Sequence, residues 1–237
     1  MILIIAEPTD LPALWLRPRL AARVATAVAT VSPIQLVCSR QIVHRLSDGG
    51  ADSRFVLAGG AIIESSVLTG VVNRLGAAPT AHLARAPLRD RIYARDELHA
   101  FLLGWLASLE CSTINRPEPD FLAGPWHPPL EALQLAVLAG LPCRPRRLAV
   151  GEVEMVASET GPLRTHFVLD GQLVGPLAPA GLRDALLRFA ALWGGRLVQV
   201  DFAVAGREPT FHAATSFVDY RLGGDLLVRA LAGAFEP

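Results

Sequence analysis

Met1-Ile2-Leu3-Ile4-Ile5-Ala6 opens the chain and decides its class. Six consecutive apolar residues, three of them isoleucine, are too short for a buried helix, and Glu7-Pro8 stops them. They read as a strand buried on both faces, the kind found in parallel sheets covered by helices. A turn with Pro8, Asp10 and Pro12 follows, then a helix expected over 14–29. Residues 34–38 read as a second short strand, which 41–46 continue or follow. Residues 48–53 read as a polar loop, 55–57 as a strand ending in Gly59-Gly60, and 71–73 as another strand. Strands alternating with helical patterns predict a Rossmann-like α/β domain with a parallel sheet.

Farther along, Leu98, Phe101, Leu102, Trp105, Leu106 and Leu109 recur at helical spacing, which predicts a helix over 96–109 capped by Asp96. Residues 111–115 read as a strand and 129–139 as a helix ended by Gly140. Pro142 and Pro145 mark a boundary, so the expected domains are 1–143 and 144–237. The last third has a different pattern. Residues 150–158, 164–169 and 172–175 read as antiparallel strands, with Asp170-Gly171 as a hairpin turn. A helix over 182–193, strands over 196–204 and 210–214, and a closing helix over 225–235 complete an α+β domain.

The totals exclude several classes. The 22 basic residues balance 22 acidic ones, so no broad positive surface is offered to nucleic acid or anionic lipid. Every basic residue is arginine. Together with abundant Ala and Leu this is a bacterial-type composition expected of GC-rich coding, and it rules out Schiff-base lysine chemistry. The N-terminus lacks the basic start and long apolar run of a signal peptide. No apolar stretch is long enough to span a bilayer. Cys38, Cys111 and Cys143 form no CxxC pattern and read as buried, reduced thiols of a cytoplasmic protein.

Few motifs carry chemistry. No GxGxxG, GxxxxGK[ST] or GxSxG pattern is present. The six histidines form no HxH or HxxxH pair, and no metal site is expected of them. Gly59-Gly60 reads as a plain turn. Arg85, Arg89, Arg91 and Arg95 form a local basic cluster, and Arg144 lies at the expected boundary. These arginines are candidates for an anion or a partner's carboxylates. Trp126, held among prolines, is a candidate partner anchor. Asp201, Glu208 and His212 are weighed as a group converging at one end of the terminal hairpin.

Three passages resemble the ATP-grasp ligase superfamily, in particular its glutamate-ligase-like branch. Val71-Val72-Asn73-Arg74-Leu75 with Tyr93-Ala94-Arg95-Asp96-Glu97 is similar to its pre-ATP-grasp domain. Ile114-Asn115-Arg116-Pro117, the following helix and Ala139-Gly140-Leu141-Pro142-Cys143-Arg144-Pro145 are similar to its "vvNrp … aGlp.P.t" passage. Residues 182–193, 197–202 and 210–216 are similar to its terminal "vD … flEvNp" passage. The resemblance implies a pre-ATP-grasp domain followed by a reduced ATP-grasp-like domain with an antiparallel sheet.

The chain departs from that family in three ways. Only 36 residues separate Pro145 from Leu182, fewer than two ATP-clasping lobes need. The lysines that the family sets on ATP are missing. Aligned on "flEvNp", Asp201 keeps the first magnesium carboxylate, but Ala213 stands for the metal-binding Glu and Thr215 for the Asn. Alanine offers magnesium no oxygen. The expected protein is therefore a non-catalytic pseudo-ATP-grasp scaffold with no catalytic residues and no cofactor, Asp201 being a vestigial metal position. Its partner is expected to be a protein or peptide, in a homo- or hetero-oligomer, serving a peptide-modifying or ligase enzyme. The alternatives are a minimal carboxylate-amine ligase using ATP and magnesium, and a sensor of a small molecule in the interdomain cleft.

Overall fold

The structure, a computed structural model, describes residues 1–144, 162–175, 178–204 and 209–236. It is a mixed α/β protein. Two compact units are present, residues 1–125 with 228–237 and residues 126–227. The expected strand over 150–158 lies outside the described residues.

The first unit is built on a parallel sheet. Strands β1 (Ile2–Ile5), β2 (Val28–Val31), β6 (Gly70–Asn73) and β7 (Ser112–Ile114) lie in the order β2-β1-β6-β7. All four residues of β1 are fully buried, as the unbroken apolar run predicts. Helix α1 (Leu11–Ala21) is capped by Asp10, whose carboxylate accepts the Ala13 N–H at 3.0 Å. It ends well before the expected limit, and Val28-Ala29-Thr30-Val31 then forms β2, where β-branched side chains suit a pleated ladder.

Residues 34–38 are not a strand but most of helix α2 (Pro33–Val37). Ser32 and Gln35 form a capping box around it, and Pro33 occupies the first helical position. An antiparallel sheet of β3 (Gln41–Ser47), β4 (Gly50–Val56) and β5 (Ile62–Glu64) follows. Much of the expected polar loop belongs to β4. Gly59-Gly60 is a plain turn between β4 and β5, closed by Leu57 N–H on the Ala61 carbonyl. Helix α3 (Leu88–Ala107) begins eight residues earlier than expected, directly after Pro87. Asp96 is therefore no cap; it lies mid-helix, paired with Arg95. Leu3, Ile5, Phe55, Val71, Leu102 and Trp105 share one core.

The second unit is an antiparallel sheet covered on one face by helices. Strands β8 (Leu163–Leu169), β9 (Gln172–Val174), β10 (Leu197–Val204) and β11 (Pro209–Thr215) lie in the order β11-β10-β8-β9. Asp170 and Gly171 both have positive φ, the hairpin geometry that the dipeptide predicts. Helix α4 (Pro129–Ala139), ended by left-handed Gly140, packs against α5 (Ala180–Trp193). Phe189, Trp193, Val198, Val200, Phe202 and Phe211 form its core. Helix α6 (Tyr220–Phe235), interrupted at Gly224, closes the described chain. Among the described residues no helix is long and apolar enough to cross a membrane.

Candidate functional site

One face of the antiparallel sheet sets three residues in a row. Asp201 of β10 is opposite Thr165 of β8 on one side and Ala213 of β11 on the other. Residues directly opposite in an antiparallel ladder share a face, so Thr165, Asp201 and Ala213 point the same way. A bulge between Asp201 and Phe202 bends the strand at this point.

Asp201 is held from two directions. Thr165 Oγ1 donates to Asp201 Oδ1 at 2.6 Å, and the Gln199 amide donates to Oδ2 at 3.0 Å. Gln199 is fixed in turn, because its Oε1 accepts the Asp219 N–H at 2.8 Å. The carboxylate is thus aimed by one residue on its own strand and one on the neighbouring strand. Ala213 adds no oxygen to the row. Thr215 has a local task, its Oγ1 accepting the Phe217 N–H at 2.9 Å. The Gln199 clamp has no signal in the linear sequence beyond its period-2 spacing from Asp201.

Magnesium on a nucleotide keeps several waters and takes one or two protein carboxylates beside the phosphates. Asp201, with the Thr165 hydroxyl next to it, fits as one such carboxylate, and the row supplies no second. Among the described residues no group of three or more His, Cys, Asp and Glu could hold a metal ion. Glu208 lies outside the described residues, so its expected convergence with Asp201 and His212 is not placed. His166, beside Thr165 on β8, is buried and stacks edge-on against Phe202 at 5.7 Å. Burial, then the charge of Arg164, pushes its pKa down.

The other candidates lie on separate elements. Arg85 precedes α3 and is exposed, as are Arg89 and Arg95 on the helix; Arg95 is paired with Asp96 at 2.7 Å. Arg91 is partly buried, one helical turn from Arg95. Arg89 lies in the first turn of the helix, directly after Leu88. Arg144, on the second unit, is exposed. Trp126 presents its ring to solvent at 55% exposure. Its neighbour His127 is pinned, with Nε2 3.1 Å from the Trp193 carbonyl and Nδ1 3.1 Å from Glu131. Of the cysteines, Cys38 is exposed rather than buried, and Cys111 and Cys143 are half-buried.

Open parallel sheets bind ligands where the strand order reverses, which here is between β1 and β6. That place is occupied by the chain's own polar groups. Arg74 Nε donates to Asp10 Oδ2 at 2.6 Å, with both side chains almost wholly buried. The Asn73 amide donates to the Asn115 and Leu122 carbonyls at 2.9 and 2.6 Å. Asn73 and Arg74, two residues of the first resembling passage, are structural here.

Neither a scan against protein-family models nor a search of curated proteins finds a match. Solved structures do match. The chain is similar to the macrocyclase MdnB from Microcystis aeruginosa MRC at 16% identity and a TM-score of 0.65, over 98% of this chain and 97% of that one. It is similar to a Chryseobacterium gregarium RiPP-associated ATP-grasp ligase, in complex with ADP and a leader and core peptide, at 10% identity and a TM-score of 0.70, over 100% and 97%. A third is the ATP-grasp ligase PsnB, complexed with a phosphomimetic variant of a minimal precursor, Mg and ADP, at 14% identity and a TM-score of 0.64, over 99% and 97%. Those structures overturn the expectation of no cofactor. That expectation rested on missing lysines and on Ala213, whereas proteins of the same fold hold ADP and magnesium.

Proposed function

We propose that this chain, which has the ATP-grasp fold, binds a peptide in the service of peptide modification, takes ATP with magnesium, and leaves bond formation to a partner enzyme. Two of those structures hold a minimal precursor variant or a leader and core peptide, which supports a peptide as the ligand. Asp201 would hold the magnesium, oriented by Thr165 and Gln199. Bound there, magnesium would neutralise phosphate charge. Arginine can carry phosphate contacts in a chain without lysine.

The observation that carries the non-catalytic half is the facing pair Asp201 and Ala213. One carboxylate can tether a nucleotide-borne metal, but the position opposite adds nothing to fix it through a reaction that must hold charge in place. Arg85 and Arg89 are the groups proposed for the peptide's carboxylates. Trp126 with the exposed Leu130, Val137 and Leu138 of α4 is the face proposed for a protein partner or a second copy.

The test is calorimetry with ATP and magnesium, with the mixture assayed for ADP after adding a synthetic peptide that bears free glutamate and lysine side chains. Binding without peptide-dependent ADP supports the proposal; peptide-dependent ADP release rejects it. The second reading, a minimal carboxylate-amine ligase, is favoured by the intact clamp on Asp201. It requires that ADP release and its loss in Asp201→Ala.

A further inference from the structure

A cavity of about 670 Å³ opens in the first unit between the β3–β4 hairpin, the turn Ser65–Val67 and the end of α3. Small-molecule sites typically have volumes of about 300–1,000 Å³. Arg45 of β3 and Glu110, just past α3, both line it; Leu68 and Leu109, both buried, supply an apolar floor. The hairpin is stitched in place, since Ser65 Oγ accepts the Ser53 N–H at 2.9 Å and donates to Asp52 at 3.3 Å.

Gly50 shows how closely Glu110 is seated. A Cβ at this residue, whose φ is +119°, would stand 3.2 Å from Glu110 Oε1. The carboxylate therefore lies against the hairpin turn, where a larger residue would crowd it. Among the described residues neither Arg45 nor Glu110 makes an ion pair, although both line this cavity. A guanidinium and a carboxylate that line one cavity, neither in an ion pair, above an apolar floor, match a ligand that carries both charges and an apolar side chain.

We infer that this cavity binds a zwitterion, an α-amino acid or a short peptide. Its carboxylate lies on Arg45, its ammonium on Glu110 and its side chain on Leu68 and Leu109. The site is in a different unit from Asp201 and does not depend on the proposed function.

The test titrates the full chain by calorimetry with L-leucine, alanyl-leucine, 4-methylpentanoate, which lacks the ammonium, and 3-methylbutylamine, which lacks the carboxylate. Saturable binding of leucine or the dipeptide is expected, and which of the two binds tighter identifies the source. Each single-charge analogue should bind roughly tenfold weaker or worse, the equivalent of about 1.4 kcal/mol. Arg45→Gln and Glu110→Gln should weaken leucine by a similar factor while thermal melting is unchanged. No saturable binding of either zwitterion, or analogues that bind as tightly as leucine to the wild-type chain, would overturn the inference.

Discussion

Arg74 and Asp10 are 64 positions apart in sequence and form a deeply buried ion pair, with side chains only 3% and 7% exposed. Asp10 also caps α1, so one carboxylate serves both helix and strand. Removing one partner strands the other charge in the interior, and Arg74→Ala should cost about 3–5 kcal/mol in chemical denaturation. At the sheet site, His166 gives a pH signature. Its folded pKa lies below the ordinary 6.5 because burial, and then Arg164, disfavour the charged ring. As pH falls below roughly 6.5 the unfolded chain takes a proton that the folded chain refuses, so stability is lost on acidification and level above. Denaturation of the wild type and His166→Gln between about pH 5.5 and 7.5 should show this slope only in the wild type. Neither role is legible in the sequence: Arg74 was visible only within a family-like string, and the histidine's burial depends on the register of β8 against β10.

Among the elements, strands and helices with strong local signals were readable. The run Ile2–Ile5, the Asp170-Gly171 turn and the Gly140 stop all do in the structure what their chemistry dictates. Residues 34–38 went astray because a short apolar run fits either a strand or a helix. The deciding signal, Ser32-Pro33-Ile34-Gln35, was present as a capping box. Strand β2 was lost inside an alanine-rich stretch whose helix bias is overruled by pairing with β1. Helix α6 shows a tertiary constraint no local pattern reveals. Gly70 of β6 leaves room for the Phe235 ring, into which a Cβ would project. Gly70→Ala should therefore cost about 1–3 kcal/mol, and much less in a Phe235→Ala background, as a double-mutant cycle by thermal melting would record.

Across the whole molecule, the three resembling passages predicted the fold, and the solved structures of the same fold agree with it over nearly the whole chain. The boundary expected at residue 143 rests on proline punctuation and stays an expectation. The contacts group 1–125 with 228–237, and 126–227. The reading of cofactors went wrong for a physical reason. Absent lysines do not by themselves exclude phosphate contacts in a chain with 22 arginines, and Asp201 stays clamped by Thr165 and Gln199 although Ala213 opposite it brings no oxygen. Restoring the missing oxygen should have a measurable effect. Ala213→Glu places a carboxylate opposite Asp201 and should tighten magnesium-dependent ADP binding by about tenfold or more, read by calorimetry.

The most direct test of the central claim is one titration of ATP and magnesium into the full chain, followed by an ADP assay with the glutamate- and lysine-bearing peptide present. Magnesium-dependent binding that is lost in Asp201→Ala, with no peptide-dependent ADP, is the predicted result. Peptide-dependent release of ADP by the wild-type chain would contradict it.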